Sequence, residues 1–226
     1  MMERGKLVVF EGSEGAGKST QLRLLAARLS AAGIPVVPLR EPGGTTVGDA
    51  IRSILLDPRS EISSGSEALL FMASRAELVR REIQPALKRG DVVLMDRFFL
   101  STYAYQIAGR GLSEKEVRAA NCLATEGLVP DLTIVLDFPV ADGIDRVSQR
   151  GSHDRIEQAA IDFHQRVEGA FAEAATASWQ RSHPECGPIT QVDGRGSRDD
   201  VAHRVISALL SEMPERFAAL NEESTA

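Results

Sequence analysis

Residues 12 to 19 read Gly12-Ser13-Glu14-Gly15-Ala16-Gly17-Lys18-Ser19. An apolar run at residues 7–10 precedes this octet, and leucines at helical spacing follow it. The order predicts a strand, a glycine-rich loop and a helix, with the G-x-x-x-x-G-K-[ST] spacing of a phosphate-binding loop, or P-loop. Glycines permit the tight turn that points several N–H groups at one anion, and the helix N-terminus adds partial positive charge. We therefore predict binding of a nucleoside triphosphate and Mg²⁺, with Lys18 on the outer phosphates and Ser19 on the metal. The alternative is a glycine-rich turn beside a surface lysine.

The composition is that of an ordinary soluble domain. The chain has 226 residues, enough for one domain with a complete core. Its net charge of −6 gives no indication of a nucleic-acid partner. Cys122 and Cys186 are its only cysteines, which fits a reducing cytoplasm better than a disulfide framework. No apolar run approaches the ~18 residues of a membrane span, and the first five residues are too short and polar for a targeting segment. We therefore expect a cytoplasmic protein without a membrane partner.

Four further apolar runs predict strands, and helical patterns alternate with them. They lie at residues 35–39, 92–96, 132–137 and 189–193. Five short strands alternating with helices predict a doubly wound α/β fold of the P-loop NTPase kind, with a five-stranded parallel sheet and helices on both faces. Right-handed crossovers bring the loops after the strands to one edge. We therefore expect the site to form from the P-loop and residues 40–45, 96–98, 137–139 and 193–196.

Several local predictions concern helix boundaries. Residues 66–88 and residues 156–179 each read as one long helix, and Pro85 could kink or end the first. Ser113, with Glu116 three residues later, predicts a capping box. Residues 215–226 read as a polar, frayed tail.

Motifs beyond the P-loop point to one enzyme family. In chain order they are Arg40-Glu41-Pro42-Gly43-Gly44-Thr45, Leu69-Leu70-Phe71-Met72-Ala73-Ser74-Arg75, Asp96-Arg97-Phe98, Ser101-Thr102-Tyr103-Ala104-Tyr105-Gln106 and Asp154-Arg155-Ile156-Glu157. Together with the P-loop, these motifs resemble the bacterial type of thymidylate kinase, in family order from residue 5 to about residue 210. The resemblance implies transfer of the γ-phosphoryl group of ATP to dTMP, giving dTDP and ADP for dTTP synthesis, in a Mg²⁺-dependent homodimer. It also implies a nucleoside monophosphate kinase domain at residues 1–212 with a small lid at about 146–156, and a polar tail at 213–226.

The donor nucleotide and its metal are expected at the P-loop. The ATP-binding residues would be Gly12, Ser13, Glu14, Gly15, Ala16, Gly17, Lys18, Ser19 and Thr20. Asp96 ends a buried strand and would hold Mg²⁺, or its waters, together with Ser19. Asp137 and Asp193 also end strands, and Asp96 could instead cap the following helix.

The resemblance assigns the acceptor dTMP to a second group of residues, namely Glu14, Arg40, Phe71, Arg75, Arg97, Thr102 and Tyr105. Arg97 would contact the acceptor phosphate, with Arg40 as a second candidate. Phe71 and Arg75 lie four residues apart on one helix face. The resemblance implies that Phe71 stacks on thymine and that Arg75 donates to a thymine carbonyl. The alternative for Arg97 and Arg40 is that each is a solvated surface arginine, and the alternative for Phe71 is that it simply packs in the core.

The remaining acceptor contacts concern the base N3 and the sugar. The resemblance implies that Thr102 lies near N3 of the base and that Tyr105 crowds the sugar 2′ position, so that deoxyribose is favoured. It also implies that Glu14 meets the 3′-hydroxyl group.

The expected catalytic residues are Lys18, Arg97 and Arg150. Phosphoryl transfer requires positioning and charge stabilisation more than covalent chemistry. The P-loop holds no arginine, and the lid offers Arg146, Arg150 and Arg155. Of these, Arg150 is our hypothesis for the residue that stabilises the transition state.

Two other classes of function are also open. A kinase for another nucleotide or nucleoside would share the P-loop, but a nucleoside kinase needs a carboxylate base rather than arginines for an acceptor phosphate. A slowly hydrolysing P-loop switch is the other class. It is disfavoured because the chain contains no guanine-reading Asn-Lys-x-Asp.

Overall fold

The computed structural model describes residues 4–149 and 154–220. Its centre is a parallel sheet of five strands in the order β2-β3-β1-β4-β5. The strands are β1 Leu7–Glu11, β2 Val36–Arg40, β3 Val92–Asp96, β4 Leu132–Asp137 and β5 Ile189–Asp193. The predicted sheet is confirmed. Strand β2 lies at an edge, where Pro38, which has no N–H group, is tolerated.

The helices alternate with the strands. They are α1 Lys18–Ala31, α2 Thr46–Leu56, α3 Ser64–Leu78, α4 Gln84–Lys88, α5 Phe99–Thr102, α6 Glu114–Thr125, α7 Val140–Ser148, α8 Ile161–Ala174, α9 Ala177–Ser182 and α10 Arg198–Glu212. Two π-helical segments, Val79–Ile83 and Tyr103–Gly109, follow α3 and α5 directly, and Pro184–Cys186 forms a 3₁₀ turn. None of the helices in the described ranges is long and apolar enough to cross a membrane.

Two apolar clusters cover the two faces of the sheet. Successive side chains of β1 alternate between them, because neighbouring residues of a strand point to opposite faces. Leu7 and Val9 belong to the cluster that includes residues of α4 and α8, whereas Val8 and Phe10 pack with residues of α1 and α10. Helices therefore cover both faces, as predicted.

The prediction of one α-helix over residues 66–88 is wrong in its interior. Helix α3 starts earlier, after Ser63, whose side chain accepts a hydrogen bond from the backbone N–H of Ser66. The chain then widens into the π-helical segment Val79–Ile83 before α4, in which Pro85 occupies the first turn. Proline cannot donate to the preceding turn and its ring displaces that turn's carbonyl, so a wider turn accommodates it.

The structure also differs from the predictions of a second long helix, at residues 156–179, and of a capping box at Ser113. Residues 154–160 form turns, in which the Asp154 carboxylate accepts from the backbone N–H groups of Ile156 and Glu157 at 2.8 and 2.9 Å. Helix α8 therefore begins at Ile161, and Thr176 caps the separate helix α9. Short polar side chains that bond nearby backbone groups compete with helix in this way. Ser113 precedes α6 but its side chain makes no capping hydrogen bond.

The chain end is more ordered than its polarity predicts. Residues 214–220 form helical turns, and Phe217 and Leu220 are buried in the cluster that includes Leu209. The two apolar side chains lie three residues apart and so share one face of a helical turn. The packed domain therefore extends beyond residue 212 to residue 220. The remaining tail residues, 221–226, lie outside the described residues.

Candidate functional site

A cavity of about 1140 Å³, including the part open to solvent, lies at the carboxyl edge of the sheet. Its walls come from the P-loop, the ends of β2 and β3, helices α2 and α3, and the chain from α5 into the second π-helical segment. The residues that line it include these predicted ones: Glu14, Gly15, Gly17, Lys18, Ser19, Thr20, Arg40, Phe71, Arg75, Asp96, Arg97, Thr102 and Tyr105. One concave site therefore collects most of the residues expected at both nucleotides.

Some of the residues that the sequence predicts at the site do not line this cavity. The loops after β4 and β5 do not line it, and neither do Gly12, Ser13 and Ala16. Instead the β4 loop supports the P-loop from behind. Ser13 Oγ donates to the Phe138 carbonyl at 3.3 Å, and a Cβ atom on Gly12 would lie 2.6 Å from the Leu136 carbonyl oxygen. The expectation that all five loops line one cavity is therefore corrected: the loops after β4 and β5 do not line it, and residues at the end of β4 support the P-loop instead.

Lys18 begins helix α1 and folds back over the P-loop. The turn into the helix needs Gly17, whose φ of 95° lies in the left-handed region. The Lys18 ammonium donates to the carbonyls of Gly12 and Ser13 at 3.0 and 2.7 Å. Burial and the nearby Arg97 lower the pKa of Lys18 to about 8, against the opposing effect of Glu14, Asp96 and Glu11. Among the residues that the structure describes, the hydrogen-bond partners of the buried Lys18 ammonium are thus neutral carbonyls, which an incoming phosphate can replace.

Ser19 and Asp96 meet at the cavity wall. The Ser19 hydroxyl, in the first turn of α1, donates directly to the Asp96 carboxylate at the end of β3. The two meet because β3 pairs in parallel with β1, the strand that leads into the P-loop. A hydroxyl and a carboxylate oxygen at one point form the partial oxygen ligand set that Mg²⁺ uses when phosphates and waters supply the rest. The donor set therefore fits the metal that the sequence predicts.

Glu14, Arg97 and Tyr105 form a largely buried cluster beside Lys18, and Arg97 shares the Gly12 carbonyl with Lys18. Arg97 Nη2 and the Tyr105 hydroxyl both donate to Glu14 Oε1, at 2.7 and 2.9 Å. Burial by itself would raise the pKa of Glu14, but Arg97, Lys18 and Tyr105 lower it to about 2. Glu14 is therefore an anion near neutral pH, and its charge fixes the Arg97 guanidinium at the cavity wall.

Arg97 keeps part of its donor capacity free. Its Nη1 group donates to the Gly12 carbonyl and to Ser101 Oγ, both at 3.2 Å. Within the described chain, Nε–H and one Nη2 hydrogen take no part in these three hydrogen bonds, although the Tyr105 side chain lies against the guanidinium, so a phosphate could take both. The backbone of Arg97 has a φ of 72°, an uncommon value for a residue other than glycine and one that often marks functional sites.

Arg75 lies on the wall but is fully engaged with the protein. Its Nε and Nη2 donate to Glu41 Oε2 at 2.8 and 2.5 Å, and Nη2 also donates to the Phe98 carbonyl at 2.8 Å. Its Nη1 donates to Thr102 Oγ1 at 2.7 Å and to Asn121 Oδ1 at 2.5 Å. All five N–H donors of a guanidinium are thus used. Donation to a thymine carbonyl remains a prediction, and it requires Arg75 to exchange one of these partners.

Arg40 and Phe71 both face the cavity. Arg40 is exposed, and within the described chain no hydrogen-bond acceptor holds it. Phe71 is half-buried and lines the cavity, so it is not simply a core residue.

The three lid arginines differ in position. Arg146 lies over the Phe138 ring, 3.8 Å from its centre, and donates weakly to the Gly15 carbonyl at 3.4 Å. Arg155 does not line the cavity and instead donates to Leu55 and Glu67. Arg150 lies outside the described residues, so its predicted role stays a prediction.

Several cavity residues have no role in the sequence-based prediction, and two of them are polar side chains of particular interest, Arg52 and Gln106. Arg52, on α2, lines the cavity and donates to the Pro42 carbonyl at 2.9 Å. Gln106 lines it four residues after Thr102, which is one helical turn. That spacing was a usable signal for Gln106, whereas Arg52 is one of many arginines on predicted helices.

Comparisons with known proteins agree with this geometry. A family model described as thymidylate kinase matches residues 10–183. The thymidylate kinase of Deinococcus radiodurans is 50% identical over 180 residues, which cover 80% of this chain and 87% of that protein. The thymidylate kinase of Pelobacter propionicus is 41% identical over 213 residues, covering 91% and 94%. A crystal structure of thymidylate kinase from Ehrlichia chaffeensis is similar, with a TM-score of 0.72, 29% identity, and coverage of 91% of this chain and 99% of that one.

The lowered pKa of Lys18 predicts that nucleotide binding weakens at alkaline pH, which would appear as an alkaline limb in the pH profile. Because Lys18 loses its charge as the pH rises through about 8, we expect kcat/KM for ATP to fall above that pH. The slope should approach tenfold per pH unit. Steady-state rates between pH 6.5 and 9.5 measure it. The Lys18→Arg variant, whose guanidinium does not titrate in this range, should lack this limb. A wild-type profile that stays flat to pH 9.5 would contradict the prediction.

Proposed function

The chain belongs to the thymidylate kinase family, and on that premise we propose how its described residues carry out the reaction. It transfers the γ-phosphoryl group of ATP to dTMP, giving dTDP and ADP for dTTP synthesis. The observation that supports our assignment of roles is the convergence of Lys18, the Ser19–Asp96 pair and Arg97 on one cavity.

The donor phosphates are proposed to lie on the P-loop. Its backbone N–H groups and the N-terminus of α1 attract the phosphates, and Lys18 exchanges its two carbonyl partners for phosphate oxygens. Ser19 and Asp96 would hold Mg²⁺ at this point, and the bound ion would neutralise charge on the phosphates. The direct contact between these two side chains supports the assignment.

The acceptor is proposed to lie across the cavity from the P-loop lysine. Its phosphate takes the free donors of Arg97, with Arg40 as an additional cation. Its base lies against Phe71 and near Thr102. Glu14 and Tyr105, whose side chains are hydrogen-bonded to each other, contact the sugar. The wall formed by these side chains supports this arrangement.

Catalysis then follows from placement and charge. Holding both nucleotides in line is worth about 7–11 kcal/mol of the barrier. Lys18 and Arg97 both donate to the Gly12 carbonyl and so lie side by side, where both can contact the transferring group, and Glu14 keeps Arg97 in place before substrate arrives. Such preorganised charge needs no rearrangement during the reaction.

A panel of nucleoside monophosphates, assayed with ATP in a coupled reaction, tests the acceptor pocket. We expect dTMP to be the best substrate and dUMP to be roughly 10–200-fold worse, because only a methyl contact is lost. We expect dCMP to be rejected more strongly, since its amino group replaces a carbonyl. Comparable turnover of dCMP and dTMP would contradict the thymine pocket.

Arg150 is proposed to stabilise the transition state from the lid. Arginines in this role contribute on the order of 10³–10⁵ in rate. In single-turnover transfer, Arg150→Ala should therefore be slower by a large factor, while the exposed Arg181→Ala on α9 should match wild type. A rate for Arg150→Ala within about threefold of wild type would refute the assignment.

A homodimer is proposed through the outer face of α3 and α6. These helices pack together, and they expose Leu69 by 64% and Leu123 by 82%. Ala73 and Ala119 extend the exposed apolar face on either helix. Burial of two such leucines in an isologous interface would be worth several kcal/mol. The cytoplasmic location is also part of the proposal, supported by the free thiols Cys122 and Cys186.

Sedimentation velocity at micromolar concentration tests the dimer. Wild type should sediment as a dimer, and Leu69→Glu with Leu123→Glu should shift it to monomer, because charge would be buried. Ile161→Glu, at a site 48% exposed on α8, is the matched control and should remain dimeric. A monomeric wild type would refute the interface.

A further inference from the structure

Glu67 is a buried carboxylate at the junction of three parts of the chain. It lies on α3, one turn before Phe71, and is only 1% exposed, yet it does not line the cavity. Its Oε1 accepts from Gln106 Nε2 at 3.2 Å and from Arg110 Nε at 3.1 Å. Its Oε2 accepts from Arg110 Nη2 at 3.0 Å and from Arg155 Nη2 at 2.6 Å. Four hydrogen bonds from three side chains therefore converge on one carboxylate.

The two arginines keep Glu67 ionised. Burial by itself would raise the pKa of Glu67, but Arg110 and Arg155 together lower it below its usual range. An ionised carboxylate can only accept hydrogen bonds. Any group that contacts it must therefore be a donor, and for the Gln106 side chain that donor is the amide nitrogen.

The other end of the Gln106 amide faces the cavity. Gln106 lines the cavity although it is buried. Its Oε1 accepts no hydrogen bond within the described chain. In the described chain, the side-chain atoms that are fully buried and have no hydrogen-bond partner are Gln21 Oε1, Glu41 Oε1 and His164 Nε2. Gln106 Oε1 is not among them, so it is not fully buried. Because the nitrogen is turned toward Glu67, the oxygen is the atom that remains open to the cavity.

We propose that Glu67 is a positioning residue, which fixes the Gln106 amide so that an acceptor oxygen faces the base. The proposal rests on the binding of dTMP in this cavity. N3 of thymine carries a hydrogen and can donate to this oxygen, whereas N3 of cytosine is an acceptor and would be repelled. Turning the amide over to suit cytosine would place Gln106 Oε1 against the Glu67 carboxylate, where two acceptors cannot pair.

The test is the selectivity of Glu67→Gln between dTMP and dCMP. An amide at position 67 can donate as well as accept, so the Gln106 amide becomes free to turn over. We expect the ratio of kcat/KM for dTMP to kcat/KM for dCMP to fall at least about tenfold. Glu67→Asp, which keeps an acceptor-only group, should stay closer to the wild-type ratio. Glu168→Gln on α8, whose carboxylate caps the Val140 N–H away from the cavity, should match wild type. A folded Glu67→Gln protein with the wild-type ratio overturns the proposal.

A second variant covers the possibility that Glu67→Gln does not fold. Gln106→Met removes the amide at similar volume, and it should lower the same ratio by a similar factor. An unchanged ratio in Gln106→Met overturns the proposal whatever Glu67→Gln does. Failure of the proposed function is distinct, because it would appear as a wild-type protein that does not prefer dTMP. Thermal unfolding of each variant checks that only folded proteins are compared.

Discussion

Buried carboxylates hold the cations of this site in place, and the geometry of the cavity depends on them. The chain carries a net charge of −6 but must bind two anionic nucleotides, so positive charge has to be concentrated locally. Glu14 fixes Arg97, Glu41 fixes Arg75, and Glu67 fixes Arg110 and Arg155. A buried arginine without such a partner would cost several kcal/mol. The acids thus allow the guanidinium groups of Arg75 and Arg97 to stand at the cavity wall, whereas Arg110 and Arg155 do not line the cavity.

The arginine–carboxylate pairs differ in how many N–H groups of the arginine remain available to a ligand. In the part of the chain that the structure describes, three N–H groups of Arg97 donate to the protein and two remain for a ligand, and Arg97 stands beside Lys18. Arg75 spends all five, and it ties α3 to Phe98, Thr102 and Asn121. The same residue type therefore serves as a ligand-binding group in one place and as a structural connector in another. Only the complete set of hydrogen-bond partners distinguishes the two uses.

The π-helical segments contribute to the same wall. The segment Tyr103–Gly109 carries both Tyr105 and Gln106, which line the cavity as neighbouring residues. In a regular α-helix, adjacent side chains point about 100° apart, and a wider turn changes that relation locally. Glu11, at the end of β1, accepts from the N–H groups of Phe98 and Ser101 and so anchors α5, from which this segment continues directly. The irregular helix is therefore tied to the sheet next to the P-loop.

The sequence by itself determined the P-loop, the parallel sheet, the family and most residues of the cavity. These features depend on contiguous motifs and on short-range periodicity, which can be read along the chain. It did not determine where α8 begins, that Phe217 and Leu220 join the core, or that the loops after β4 and β5 do not line the cavity. Only the tertiary structure decided how many N–H groups of Arg75 and Arg97 the protein itself occupies and which way the Gln106 amide points. The reason is that most of the occupied N–H groups donate to residues far away in sequence, and this convergence exists only once the chain has folded.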